Sequence, residues 1–411
     1  MDPLELLRQA ASRRAAAGLS RHLAARGPGH DGLLDLASND YLGLCGDERL
    51  AAGASEAIRK WGTGSTGSRL VTGTTMLHAE LEGQLAEFTG APAALVFSSG
   101  YLANLTVITA LAAGLGAAGG PAGPGASGGA TGPGVRGGVL VVSDAGNHAS
   151  LIDACRLART QGGAGIRVAV TPHRDAGAVR RALASRDEGA AIVVSDAVFS
   201  VDGALAPAAE LHAAAREHGA LLVLDEAHAF GVIGPGGRGV AAAVQIAAEP
   251  DVVRTVTLSK ATAGQGGAVL AAPEVITALV DTGRGFIFDT GLAPPSVGAA
   301  LAALQVILAE PGLGARALAN TARLAELAAG LGLRAKPTGA AVLAIVIGEA
   351  GQAVRAQQIC ARHGVRAGCF RPPSVPAGQA CLRLTGRADM TEGDFAVAAR
   401  ALAAVSEHSV G

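Results

Sequence analysis

Lysine is scarce in this chain: Lys60, Lys260 and Lys336 are the three present in 411 residues. Lys260 stands in TVTLSKATAGQGGAV, where an apolar strand pattern runs into a glycine-rich turn. Earlier, LLVLDEAH (Leu221 to His228) places four apolar residues before Asp225. That is the pattern of a buried parallel strand delivering an acid at its carboxyl end, the edge where ligands bind in open α/β sheets. A buried carboxylate, a lysine at the end of a neighbouring strand and a glycine-rich turn suit pyridoxal 5'-phosphate (PLP). The lysine amine bonds the aldehyde carbon, and the acid holds the ring nitrogen protonated. Asp225 to His228 also spells the DEAH of a helicase, but that reading needs a GxxxxGK[ST] phosphate loop. No Gly-Lys dipeptide occurs in the chain, which excludes it.

Other strand ends carry polar residues. In FSSGYLANL a strand stops at Ser98, Ser99 and Gly100 and a helix begins, offering either an ordinary N-cap or N–H groups for a phosphate. SDAGNHASLIDACRL puts His148 between a strand and a helix, where its ring could cap or stack on a cofactor. FSVDGALAP brings Ser200 and Asp202 to another strand end, and RPPSVPAGQACLRLT carries Arg371, Ser374 and Arg383. Arginine forks suit a substrate carboxylate. With 59 glycines, GxGxxG arises by chance at residues 62–67, 132–137 and 234–239, but none of these follows a strand and opens a helix. A GxSxG match at Ser127 falls in a low-complexity tract, where a nucleophile elbow has no place.

These residues need a sheet to carry them. ALVF, GVLVVSD, IRVAVT, AAIVVSD, ALLVLD, VTLS and AVLAA alternate with helical stretches, which predicts a doubly wound, mostly parallel α/β sheet. Residues 1–50 read as an N-terminal arm and part of a small domain, 51–290 as a large cofactor-binding domain, and 291–411 as a smaller C-terminal α/β domain. A Gly, Pro and Ala tract at about 114–137 reads as a flexible surface insertion. With 49% hydrophobic residues the chain can bury a large core, and a formal net charge of −1 gives no footprint for nucleic acid or an anionic membrane. Cys45, Cys155, Cys360, Cys369 and Cys381 form no CxxC pair and no zinc spacing, so no metal is expected and a reducing cytoplasm fits. No signal peptide or membrane-spanning run is read.

Taken together, SNDYLGL, GSTGSRLVTGT, FSSGY, NHASLIDACRL, VFSVDG, LDEAH, TLSKATAGQGGAV, FIFDTGLAPP and RPPSVPAGQACLRLT resemble the α-oxoamine synthases. The resemblance runs from about residue 10 to about residue 400, apart from the Gly/Pro tract. It implies a fold-type I PLP transferase, a homodimer with its site at the subunit interface. Carried over by position, Lys260 would hold the cofactor and move a proton, and Asp225 would pair with the pyridine nitrogen. His228 and Ser200 would reach the ring hydroxyl, and His148 would stack on the ring. Phosphate would be held by the backbone at Gly100 and Tyr101, by Thr257 and Ser259, and by Thr290 reaching across from the other subunit. Arg383 would clamp an amino-acid carboxylate, Ser374 would lie near the substrates, and Arg21, preferred to Arg26, would serve as the N-terminal substrate arginine. The usual SKALG of the family appears here as SKATAG. Within the family, RPPSVPAG and FIFDTGLAPP resemble the branch that joins L-alanine to a pimeloyl thioester of coenzyme A or acyl carrier protein. Glycine C-acetyltransferase and 5-aminolevulinate synthase are the alternatives that take glycine. A catalytically silent partner subunit would lack the lysine that is present here.

Overall fold

The computed structural model describes residues 2–409 except 22, 24, 28–30, 119–136, 163–164 and 336. Contacts divide the chain into two compact units. The larger comprises Asn39–Ser200 and Ala204–Ala317; the smaller comprises Met1–Ser38, Val201–Gly203 and Leu318–Gly411. The larger unit continues past the division near residue 290 that the sequence suggested because helix Pro294–Ala309 packs on helices Glu48–Trp61 and Met76–Thr89.

The large unit is built on a seven-stranded sheet in the order Ala93–Phe97, Gly267–Ala271, Val252–Thr257, Leu221–Asp225, Ala190–Asp196, Val139–Asp144, Ile166–Thr171. Gly267–Ala271 runs antiparallel to both neighbours, and the strands from Val252–Thr257 to Ile166–Thr171 pair in parallel. Runs such as VLVV, IVV and LVL become strands because both faces of a parallel sheet are covered, so an unbroken apolar run is buried throughout. Their carboxyl ends then share one edge. Asp225 lies in register with Asp196 on one side and Thr255 on the other.

One helix, Gly100–Ala118, is long and apolar enough to cross a membrane by length and composition. Here it is a core helix: Ala103, Val107, Ile108 and Leu111 are buried in the cluster that also holds strand residues Val141, Ile192 and Val223. It also corrects the sequence reading at one point. Residues 114–118, assigned to the flexible tract, complete this helix, since an Ala- and Leu-rich run tolerates Gly114 and Gly116. The rest of the tract lies almost wholly outside the described residues.

Under the sheet edge is a buried ion pair the sequence did not announce. Arg254 and Glu226 are both fully buried and 3.4 Å apart. The guanidinium also donates to the carbonyls of Thr89 (3.1 Å) and Ala247 (3.3 Å), while Glu226 Oε1 accepts from the Ala241 N–H at 2.7 Å. Burial pushes the Glu226 pKa up, and Arg254 opposes the shift. The smaller unit has its own antiparallel sheet, in the order Gly368–Phe370, Ala380–Thr385, Val342–Gly348, Arg334–Ala335, with a core that includes Leu324, Ile345, Leu382 and Phe395.

Arg254→Leu leaves Glu226 buried beside an alkyl chain, and an uncompensated buried charge costs about 3–5 kcal/mol. Chemical denaturation should show a loss of that order. A loss below about 1 kcal/mol, the scale of an exposed pair, would show that the pair does not hold the sheet edge together.

Candidate active site

Lys260 leaves its strand at a tight turn. The Ala263 N–H donates to the Lys260 carbonyl at 2.9 Å, and the Gly264 N–H to the Leu258 carbonyl at 2.9 Å. Ala263 adopts φ 50°, in the left-handed region that costs an L-residue roughly 1–2 kcal/mol. The turn aims the half-buried lysine back at the sheet edge, where its Nζ lies 2.7 Å from His228 Nε2. On its far side, His228 Nδ1 lies 2.5 Å from the Tyr41 hydroxyl, and that hydroxyl donates to Asn39 Oδ1 at 3.2 Å. Tyr41 is wholly buried. The lysine amine is therefore held from behind by a histidine that is itself braced by a core tyrosine.

Asp225 is 4% exposed. Its Oδ1 accepts the Ala227 N–H at 2.8 Å, and its Oδ2 accepts from Asn104 Nδ2 at 2.6 Å. On the next strand Asp196 is buried as well. Burial, and after it the charge of Asp225, raise the Asp196 pKa well above the ordinary carboxylate value. Two neighbouring acids in a dry site cannot both ionise cheaply, which is why the nearness of Asp225 favours the protonated form of Asp196. Asp196 Oδ2 accepts the His148 N–H at 2.7 Å, which fixes the backbone just before helix Ala149–Gly162. His148 Nδ1 lies 2.8 Å from Ser150 Oγ and accepts the Ser150 N–H at 3.3 Å. The residue is exposed, yet desolvation of its ring lowers the pKa; Lys260 adds to that effect and Asp225 opposes it.

A third group lies at the head of helix Gly100–Ala118. Ser99 Oγ accepts the Leu102 N–H at 3.1 Å and the Ser99 carbonyl accepts the Ala103 N–H at 3.0 Å, so Gly100 and Tyr101 hold the amides an anion would use. A side chain at Gly100 would place its Cβ 3.1 Å from Thr257 Cβ, and one at Gly267 would come 2.4 Å from the Gly100 nitrogen. Glycine at both positions lets the helix start abut the end of strand Val252–Thr257. There the Thr257 and Ser259 hydroxyls are 2.7 Å apart. Backbone donors at a helix head with two adjoining hydroxyls have the chemistry a phosphate needs, and a buried acid and a lysine share the same sheet edge. This donor set fits PLP. Among the described residues no cluster of three His, Cys, Asp or Glu could hold a metal ion.

The segment GSTGSRLVTGT, residues 64–74, is tied to this edge. Buried Arg69 donates to the Val96 carbonyl at 3.0 Å and pairs with Glu82 at 2.9 Å. Thr290 forms a bridge with Ser68 on that loop. Ser200 is half-buried beyond strand Ala190–Asp196. Three assigned residues belong to the smaller unit. Arg383 is buried in strand Ala380–Thr385, its guanidinium 5.4 Å from the centre of the Phe370 ring. Ser374 is exposed, and its N–H donates to the Arg371 carbonyl at 3.0 Å. Arg21 is exposed on the N-terminal arm, whereas Arg26 pairs with Asp35 at 3.1 Å; Arg371 donates to the Ser20 carbonyl at 3.0 Å.

Sequence reasoning missed Tyr41, Asn104 and Asp196. Tyr41 sat in SNDYLGL, which entered only as part of the family resemblance, and Asn104 in a helix read only for its first residues. Asp196 had a signal: VVSD repeats the strand-then-acid pattern that singled out LVLD.

The family described as "Aminotransferase class I and II" matches residues 31–402. An 8-amino-7-oxononanoate synthase of Mycobacterium sp. (strain JLS) is 51% identical over 98% of this chain and 97% of its own. Another of that name, from Mycolicibacterium smegmatis, is 50% identical over 98% of this chain and 96% of its own. Among solved structures, a serine palmitoyltransferase of S. paucimobilis with bound PLP and myriocin aligns with a TM-score of 0.86 at 26% identity, covering 100% of both chains.

Tyr41→Phe removes one hydroxyl from the buried brace behind His228. Losing one partner from a buried hydrogen bond costs about 1–3 kcal/mol, so the unfolding free energy should fall by that amount. A variant as stable as the parent would mean that the Tyr41 to His228 contact is not formed in solution.

Proposed function

The chain belongs to the class I and II aminotransferase family, and from this premise we propose that it condenses L-alanine with a pimeloyl thioester, losing carbon dioxide, to give 8-amino-7-oxononanoate. It is a PLP-dependent C-acyltransferase of biotin biosynthesis. The observation that carries the residue roles is the meeting of Lys260, Asp225 and the Gly100 helix head at one sheet edge.

In the reaction, a bond forms between the α-carbon of alanine and the acyl carbon. The thiol leaves that carbon, and the alanine carboxylate departs as carbon dioxide. When bound, the cofactor supplies an electron-poor ring that accepts the electron pair left as the α-proton is removed. Lys260 takes that proton at Nζ, and His228 with Tyr41 behind it keeps the amine at the edge between steps. Asp225 holds a proton at the ring nitrogen, since a buried charged carboxylate keeps its partner charged. His148 would stack on the ring when it is bound and so limit which bond of the substrate can break. The Gly100 and Tyr101 amides with Thr257 and Ser259 anchor the phosphate. His228 and Ser200 are assigned to the ring hydroxyl. The assignments of Arg21, Ser374 and Arg383 to the substrates, and of Thr290 to a second subunit of a homodimer, rest on motif likeness alone. Coenzyme A and acyl carrier protein both remain as the acyl carrier. A cytoplasmic location is part of the same reading, and five cysteines without a disulfide support it.

Lys260→Ala should abolish turnover, and borohydride should then trap no cofactor on the protein. In the parent, borohydride reduction followed by peptide mapping should place the adduct on Lys260; an adduct on Lys60 or Lys336 would overturn the assignment. Thiol release should be faster with alanine than with glycine, and faster with pimeloyl than with acetyl thioester. The reverse order would move the chain to a glycine-using branch.

A further inference from the structure

Asn104 connects two groups of the site that lie on different elements. It sits one turn into helix Gly100–Ala118 and is 2% exposed. One amide hydrogen goes to Asp225 Oδ2 at 2.6 Å and the other to Ser150 Oγ at 2.9 Å, while Asn104 Oδ1 accepts from Thr255 Oγ1 at 2.6 Å. The orientation of the amide is fixed by chemistry: a carboxylate only accepts, so the nitrogen must face Asp225 and the oxygen must face the threonine hydroxyl. Ser150 Oγ, having accepted from Asn104, has its own hydrogen left for His148 Nδ1 at 2.8 Å. The Ser150 N–H also donates to that nitrogen, at 3.3 Å. Ser150 and Thr255 are fully buried, so water does not compete for these bonds. Every donor in the chain from Thr255 through Asn104 and Ser150 to His148 meets one acceptor.

We propose that Asn104 is the positioning residue of this site: its single amide fixes the rotation of the Asp225 carboxylate and, through Ser150, holds His148 as the tautomer with an unprotonated Nδ1. The inference rests on the reading that Asp225 and His148 face the ring of PLP. An amide suits the position because it donates to a carboxylate without carrying charge. An aspartate there would set two acids at hydrogen-bond distance, and a lysine would take the charge that Asp225 must offer the ring. The charged or titratable groups around His148 are Asp225, Lys260, Asp153 and, through the backbone, Asp196. At Nδ1 itself stand the Ser150 hydroxyl and N–H, at 2.8 and 3.3 Å.

The test compares the full-length parent with Asn104→Leu and Ser150→Ala, using protein with 15N-labelled histidine and PLP 15N-labelled at the ring nitrogen. In the parent, with or without the cofactor, the His148 signals should show a protonated Nε2 and a bare Nδ1. Both variants should mix tautomers and move the His148 titration toward the ordinary histidine value near 6.5. Only Asn104→Leu should change the ring-nitrogen signal and weaken PLP binding, by about tenfold or more, the loss for one charge-assisted hydrogen bond. Its kcat should fall by up to about a hundredfold, the scale of a misplaced reacting group, with little change in KM for alanine. A parental His148 tautomer in both variants, or a parental ring-nitrogen signal in Asn104→Leu, would overturn the proposal. A merely structural role would lower the melting temperature and leave both signals unmoved. Should Asn104→Leu fail to fold, Ser150→Ala and the cofactor-free spectra still decide the tautomer claim. Failure of the parent to bind PLP would instead refute the underlying reading of the site.

Discussion

A carboxylate buried at the end of a strand is the constraint from which the large unit is built outward. Asp225 is almost dry, and a charge in that position survives only if hydrogen bonds hold it and its neighbours do not share its sign. The structure supplies the Ala227 N–H on one oxygen, Asn104 on the other, and an adjacent buried acid, Asp196, whose pKa is raised by burial and by the charge of Asp225. A parallel sheet makes this possible, because register places Asp196 and Thr255 beside Asp225 at one edge. The helix that carries Asn104 also carries the Gly100 and Tyr101 amides at its head.

The lysine depends on the same edge from the other side. A turn with Ala263 in the left-handed region points Lys260 at His228, and Tyr41 fixes the far nitrogen of that ring. Strain of this kind persists where the surroundings over-determine it, which is common at reactive sites. The buried pair of Arg254 and Glu226 lies directly below, Glu226 being the residue after Asp225. The DEAH segment therefore divides its labour: Asp225 and His228 face the site, and Glu226 faces the core.

Much of this was legible in the sequence, for definite reasons. Strands covered on both faces read as unbroken apolar runs, so LVLD and TVTLSK announced both the sheet and the residues at its ends. The scarcity of lysine made Lys260 conspicuous. Tyr41 and Asn104 were not singled out because their roles come from packing and from which face of a helix meets the sheet, and spacing alone does not give these; Asp196 carried the same strand-then-acid signal as Asp225 and was passed over. Arg254 sits in a strand where a fully buried guanidinium is improbable until its partner Glu226 is seen. Residues 114–118 were taken for a linker on their glycine content, but they finish a helix that is already nucleated and packed. Propensity is a weak guide once tertiary contacts decide.

The charge on Asp225 is the centre of the account, and Asp225→Asn tests it most directly, because the amide keeps the size and one of the two hydrogen bonds while removing the charge. Steady-state turnover of alanine and a pimeloyl thioester should fall by several orders of magnitude, with the fold and the Lys260 adduct retained, since a neutral partner no longer holds the ring-nitrogen proton. Turnover within about tenfold of the parent, a barrier change of only about 1.4 kcal/mol, would contradict it.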